Sequence, residues 1–253
     1  MNSNEFRFFS ESEKRFPDCT SLPIGLLIKS LFVKARRRSW GRLADRNARL
    51  VWTTSAVSDA EGPTANVRNY LDHCTIRNIL TDVAGGRKLS RACELGCGYG
   101  RVIMVLKEFA DYVTGFEREQ VLVDVASGLL PEITFQRVDS LATVQDEPYD
   151  LAMICTVLQH LTDDEARRVC EALKSLARRG HVLIIEKTEP FRITTNIEQG
   201  SQFISRDRSV QTYEDYMRPF RLVRTYERHV EPSYGNPSPG TCMLFQSPDS
   251  SNA

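Results

Sequence analysis

The sequence predicts an α/β fold built on a doubly wound, mostly parallel sheet. Three observations carry this. Residues 90–101 read S-R-A-C-E-L-G-C-G-Y-G-R, a short apolar run entering a glycine cluster at Gly96, Gly98 and Gly100. Behind it, Val102, Ile103, Val105, Leu106 and Phe109 are spaced for one face of a helix packed on a sheet. Strand-like and helix-like segments then alternate, and residues 149–155 form a near-continuous apolar run suited to a strand covered on both faces.

Each element has its own signal. Residues 59–63 (D-A-E-G-P) are a turn. Residues 64–83 follow a helical period through Val67, Tyr70, Leu71, Cys74, Ile79 and Leu80, and Gly85-Gly86 ends the helix. Residues 92–95 are the first strand and 101–109 the helix behind the glycines. Residues 112–117 are the second strand, ending on Glu117, with a short helix near 120–127. Residues 133–138 are the third strand, closed by Asp139-Ser140, and 149–155 the fourth. Thr162–Glu165 is T-x-x-E, a capping box. The helix it opens carries Ala166, Val169, Cys170, Leu173, Leu176 and Ala177 on one face and stops at Gly180. Residues 181–186 are the fifth strand. Residues 188–207 are polar and read as a loop. A helix opens at Arg208-Ser209, and residues 221–230 and 241–245 suit two further strands joined by the turn-rich 231–240.

Composition bounds the rest. The 253 residues suit one domain with extensions, and a formal net charge of zero disfavours nucleic acid as the main partner. Seven scattered cysteines without a C-x-x-C pair argue against structural zinc and suit a reducing compartment. The N-terminus lacks the layout of a signal peptide, and no run approaches the roughly 20 apolar residues of a membrane span. A cytoplasmic protein is expected. Residues 1–50 carry eleven Lys and Arg against five Asp and Glu. Within them an apolar run, 22–33, meets Lys34, Arg36, Arg37, Arg38 and Arg42. This segment suits a helix packed on the core by its apolar side, or a peripheral contact with a membrane or anionic ligand.

The glycine cluster is G-x-G-x-G, with Glu94 two residues before the first glycine. A dinucleotide fingerprint would read G-x-G-x-x-G. The closer third glycine and the acid together resemble motif I of the class I S-adenosylmethionine (SAM) methyltransferases. The run V-L-Q-H-L-T-D-D-E, then a helix, a glycine and V-L-I-I-E, resembles the post-motif region of small-molecule and peptide methyltransferases. The resemblance covers roughly residues 89–187. It implies a seven-stranded Rossmann-like sheet ending in a hairpin, preceded by an N-terminal helical extension. The expected organisation is a basic extension over 1–63, a SAM-binding domain over 64–246 and a disordered tail over 247–253.

The resemblance also assigns residues. The loop of Gly96, Cys97, Gly98 and Gly100 hugs the amino acid part of SAM, and Glu94 lies near its ammonium. Arg101 stands where some members bind the carboxylate. Glu117 takes the ribose hydroxyls, for which a carboxylate offers two accepting oxygens; its spacing alone does not separate SAM from NAD. Asp139, with Ser140, is the candidate for adenine, or else Asp139 caps the next turn. Thr156 and Gln159 follow the fourth strand beside the cofactor, and Gln159 suits either cofactor or acceptor. The helix over 64–83 corresponds to one that roofs the cofactor, with Tyr70 either a lid residue or a packed aromatic.

Methyl transfer from SAM to S-adenosylhomocysteine (SAH) mainly requires alignment, but a hydroxyl acceptor needs a base. His160, just past the fourth strand, is the first candidate, set against a local bonding role. Glu186 is the second, set against an ion pair with Lys187 or a loop arginine. The [DN]-P-P-[YFW] pattern is missing after the fourth strand, as are a Pro-Cys nucleophile and a metal-binding acid. The expectation is metal-free O- or N-methylation of a small molecule, glycan or peptide, in glycan or natural-product biosynthesis. Arg206, Arg208, Tyr213, Tyr216, Tyr226 and Tyr234 are candidates to line the acceptor cleft. The alternatives are an NAD(P)-dependent oxidoreductase and a non-catalytic SAM-fold scaffold subunit.

Overall fold

The computed structural model describes residues 63–188, 193–196, 203–228 and 240–252. The basic N-terminal segment, Tyr234 and the 231–239 connection lie outside the described residues.

The chain opens with helix α1 (Pro63–Ala84), then β1 (Leu89–Leu95), α2 (Ile103–Phe109), β2 (Ala110–Glu117), α3 (Gln120–Leu129) and β3 (Thr134–Arg137). β4 (Leu151–Cys155), α4 (Asp163–Leu176) and β5 (His181–Lys187) complete the parallel half. After a hairpin of β6 (Ile193–Asn196) and β7 (Phe203–Arg206) come α5 (Val210–Met217), β8 (Arg221–Arg228) and β9 (Gly240–Gln246). The main sheet has seven strands in the order β3-β2-β1-β4-β5-β9-β8. Strands β1 to β5 pair in parallel, and β9 pairs antiparallel with both β5 and β8. The doubly wound sheet with its terminal hairpin is as the sequence predicts. Strand order reverses between β1 and β4, so their carboxyl ends open the crevice where such sheets bind ligands.

Period-two alternation sends successive strand residues to opposite faces. Cys93 and Leu95 of β1 join Ala152 and Ile154 of β4 in a core with α4 and α5. Ala92 joins Leu151 and Met153 in a second core with Ile76, Ile79 and Leu80 of α1 and Ile103 and Leu106 of α2. Helix α4 starts as its capping box requires: Thr162 accepts from the Glu165 amide, and Glu165 reaches back to the Thr162 amide at 2.9 Å.

Three local expectations are corrected. The 188–207 stretch is not a plain loop, because β6 and β7 pair antiparallel within it, Ile193 opposite Arg206 and Asn196 opposite Phe203. Tyr70 is not a packed aromatic: it is 66% exposed on α1, whose buried stripe runs through Ile76, Ile79 and Leu80. The expected frayed end instead turns as a 3-10 helix over Pro248–Asn252, held where the Asp249 amide donates to Ser247 Oγ at 3.2 Å.

Candidate active site

The glycine loop is tied to the end of β2. The Gly96 and Cys97 amides donate to the Phe116 carbonyl at 2.7 and 3.2 Å, and the Gly98 amide donates to Glu117 Oε2 at 2.9 Å. All three loop glycines have positive φ, between 57 and 94°. A Cβ placed on Gly98 would meet nothing within 4 Å, so this bend faces open space. Glu117 Oε1 also accepts from the Arg118 and Glu119 amides, at 2.6 and 3.1 Å. One carboxylate thus shapes both the loop and the entry to α3, and Oε2, with one amide bound, retains accepting capacity.

Glu94 lies on the α1/α2 face of β1, opposite Gly115 and Met153. It is 1% exposed, and its Oε2 has no hydrogen-bond partner. Burial pushes its pKa up to about 8, Arg101 opposing and Glu117 adding to the shift. Arg101 donates from Nη1 to Asp72 Oδ2 at 2.5 Å, and its Nη2 lies 3.6 Å from Cys155 Sγ. Arg228 of β8 grips the same carboxylate through Nε and Nη2, at 2.7 and 2.8 Å.

The chain leaves β4 through Thr156, a non-glycine residue held at φ +55°, the kind of strained backbone that gathers at functional sites. A 3-10 turn follows over Leu158–His160. Glu186, fully buried on β5, accepts from the Val157, Leu158 and Gln159 amides at 2.8, 2.7 and 3.2 Å. Burial pushes Glu186 up to about 7, with these amides opposing. Both of its oxygens are engaged by the turn, so it is an anchor of the site and not its base. No ion pair with Lys187 forms among the described residues. Gln159 Nε2 sits 2.8 Å from His160 Nε2, so in this amide orientation the imidazole accepts there. Gln159 Oε1 is buried without a partner.

Residues 92–180 match the family model described as a methyltransferase domain. Over that stretch, about a third of the chain, the sequence is similar to methyltransferase domains. An "uncharacterized methyltransferase" of Anoxybacillus flavithermus is 27% identical over 139 residues, which cover 54% of this chain and 64% of that protein's length. Among solved structures, a SAM-dependent methyltransferase of Leishmania major superposes with a TM-score of 0.59 at 18% identity, covering 77% of this chain and 83% of that one. The 1,6-didemethyltoxoflavin-N1-methyltransferase of Burkholderia thailandensis, solved with its substrate and SAH, gives 0.58 at 17% identity, covering 86% and 89%. The two superpositions establish the methyltransferase fold.

SAM is the cofactor that the domain match and the neighbours solved with SAM or SAH support, and the residues present fit it. The amino acid end of SAM carries an ammonium and a carboxylate. The orphaned Glu94 Oε2 suits the first, and the Arg101 guanidinium suits the second. The predicted residues Glu94, Gly96, Cys97, Gly98, Gly100, Arg101, Glu117, Thr156, Gln159, His160 and Glu186 all lie at or just past the carboxyl ends of β1, β2, β4 and β5.

Other candidates stand apart. The Asp139 side chain is 85% exposed and pairs with Arg137 at 2.7 Å, while Ser140 caps the 3-10 turn Leu141–Thr143 by accepting from the Ala142 amide. Capping therefore falls to Ser140 and not to Asp139. Arg208 is buried and donates to the Leu158 and Leu161 carbonyls, both at 2.7 Å, and to Asp163 Oδ1 at 2.8 Å. Arg206 reaches the Leu161 carbonyl at 3.4 Å. Tyr213 is core, Tyr216 lies under Arg167, and Tyr226 donates to Asp82. Arg206 and Arg208 are thus engaged by the carbonyls of the turn, and Tyr213 by the core.

Sequence reasoning missed four residues. Tyr99 Oη and Arg118 Nε are buried without partners, Tyr99 in the loop and Arg118 next to Glu117. Asp72 and Arg228 complete the Arg101 cluster. An acid within the apolar stripe of α1 was a readable signal for Asp72; Arg228, on a polar strand, had none. Among the described residues there is no group of three or more metal-ligating side chains, and no helix is long and apolar enough to cross a membrane.

Proposed function

We propose that this chain binds SAM against the glycine loop and transfers its methyl group to an oxygen or nitrogen of a small molecule, glycan or peptide. The observation that carries the reading is a set of buried polar atoms lacking partners. Glu94 Oε2, Tyr99 Oη, Arg118 Nε and Gln159 Oε1 belong to the β1 end, the glycine loop, the β2 end and the turn after β4. Buried polar groups are rarely left unpaired, so such a concentration at the switch-point crevice marks a ligand's place.

When bound, SAM supplies a methyl already activated by its sulfonium, and the C–S electron pair returns to sulfur as the acceptor's lone pair forms the new bond. The chain's own residues then align and hold. Glu94 takes the ammonium and becomes ionised by doing so. Glu117, already fixed by three amides, offers the remaining lone pair of Oε2 to a ribose hydroxyl. The strained Thr156 and the turn after it present Gln159 and His160 to the crevice. His160 is the group placed to accept a proton from a hydroxyl acceptor, exchanging its Gln159 bond as it does so.

Calorimetry against SAM, SAH and NAD(H) tests the binding half. Micromolar SAH binding without NAD(H) binding is expected; the reverse would favour an oxidoreductase. Transfer of labelled methyl to a component of a cell extract tests the catalytic half, and tight SAH binding with no transfer would favour a scaffold role. The turn after β4 opens on the same side as the loop, which supports an acceptor small enough to enter the crevice. Contact of the basic N-terminal segment with a membrane or anionic acceptor is part of the same proposal. It is checked by vesicle co-sedimentation before and after charge reversal at Arg36, Arg37 and Arg38.

A further inference from the structure

Arg118 and Asp139 follow β2 and β3, the two strands at one edge of the sheet, and the fold treats them oppositely. Phe116 of β2 packs in the core under α4, so Arg118, two residues on, continues on that face past the strand end. Its Nε is buried and has no hydrogen-bond partner. Its charge is felt at the start of α4: the Glu165 carboxyl is held below its ordinary pKa by the Thr162 hydroxyl and amide, and also by the charges of Arg168 and Arg118. The same face carries a small apolar wall. Val138, Leu141 and Val157 pack in or against that core, and the Val138 amide donates to the Glu117 carbonyl at 2.8 Å. Leu141 and Val157 stand beside the glycine loop, where a Cβ on Gly96 would meet them at 3.4 and 2.6 Å. A flat ring fits against such a wall, with a few polar atoms to orient it. Asp139, the acid expected to meet an adenine amino group, is not one of them: its side chain is largely exposed and holds Arg137 at 2.7 Å. Ser140 Oγ accepts from the Ala142 amide at 3.2 Å, so its own proton is the part left to offer. These side chains therefore present donors, Arg118 Nε–H first, where an adenine-selective site would present an acceptor. Adenine carries acceptors at its ring nitrogens and a donor in the amino group on carbon 6.

We propose that Arg118 is a specificity-determining contact: its Nε–H donates to an acceptor atom on the edge of the cofactor's base, and the site does not select for the amino group on carbon 6. Purine nucleosides that carry a carbonyl oxygen at that carbon are therefore ligands as well. The proposal rests on the SAM reading above.

The test is calorimetry with two probes: SAH, and its deaminated analogue in which hypoxanthine replaces adenine. The analogue exchanges the amino group for a carbonyl oxygen and keeps ring nitrogens 3 and 7 as acceptors. Wild-type protein is expected to bind the two within about fivefold of each other. A larger preference for SAH means that an acceptor reads the amino group, as sites built for such a group do, and overturns this inference while leaving the SAM reading intact. Asp139→Asn should move neither probe by more than about twofold, since it breaks only an exposed ion pair; a loss confined to SAH would put that acid in the base site and overturns the proposal. Arg118→Met should weaken both probes about tenfold, the scale of one charge-assisted hydrogen bond. Arg118→Lys keeps the charge but places a methylene where Nε stands, and should bind no better than Arg118→Met. Recovery by lysine, or unchanged affinity in Arg118→Met, overturns the contact. Where Arg118→Met does not fold, the wild-type comparison and Asp139→Asn decide the matter. Folded wild-type protein that binds neither probe overturns the SAM reading and this inference with it.

Discussion

Glu186 and Arg208 hold one turn by its opposite poles. Glu186 takes the amides of Val157, Leu158 and Gln159, and Arg208 takes the carbonyls of Leu158 and Leu161. The turn between β4 and α4 satisfies only part of its own backbone, so two ionisable side chains complete it. Their cost of burial is offset by hydrogen bonds that nothing else in the core supplies. The candidate base His160 and Gln159, whose Oε1 lacks a partner, ride on this turn.

Glu186→Leu leaves three amides without an acceptor. Its unfolding free energy should fall by about 3 kcal/mol, measured by urea denaturation. Unchanged stability would mean that the turn holds itself and would reopen a chemical role for Glu186.

Burial raises Glu94 to about 8 and Glu186 to about 7, both from a free value of 4.5. The folded chain therefore keeps protons that the unfolded chain releases. The stability this contributes is full below pH 4.5 and is lost as pH rises through 7 to 8. Ligand-free protein should melt at lower temperature at pH 8 than at pH 5. Glu94→Gln should raise the pH 8 melting temperature by roughly 5 °C and weaken SAH binding about tenfold. Scanning fluorimetry and calorimetry read the two effects, and a variant that gains no stability at pH 8 contradicts the burial argument.

Two glycines near the loop are constrained for different reasons. Gly98 has open space before it at φ +57°, so Gly98→Arg should abolish SAH binding at a stability cost of about 1 kcal/mol. Gly115 has Cys97 Sγ and Phe135 Cδ1 at 2.7 Å and Ile103 Cδ1 at 2.9 Å from where a Cβ would sit. Gly115→Ala should cost about 2 kcal/mol by overpacking. Thermal melts paired with titrations separate the two outcomes.

His160→Ala should lower methyl transfer roughly a hundredfold for a hydroxyl acceptor while SAH affinity changes little. Transfer assays with labelled SAM, run against a fractionated extract, supply the comparison. Full activity in this variant would remove His160 from the chemistry.

Much of this site was legible before the fold. The spacing of Glu94, Gly96, Gly98 and Gly100 marks a strand end and a ligand loop, because only a tight positive-φ bend suits that pattern. The Thr162–Glu165 box marks the start of α4 for an equally local reason. Glu186 was harder: an acid at a strand end reads the same whether it meets substrate or caps a neighbouring turn, and its partners lie 27 to 29 residues away. Arg208 read as a cleft arginine for the same reason, its carbonyl partners lying 47 and 50 residues away. The β6–β7 hairpin was missed because strands of four residues, I-T-T-N and F-I-S-R, are too short to show a period.

The sequence by itself determined the α/β class, the strand and helix succession through β5 and the loop that faces the ligand, since each depends on periodicity and turn chemistry within a dozen residues. Only the tertiary structure decided which charges meet: Asp72 with Arg101 and Arg228, Glu186 and Arg208 with the turn after β4, and Asp139 with Arg137 at the surface. Those pairings follow from burial and packing between distant elements, where the need to satisfy a charge out of water selects its partner.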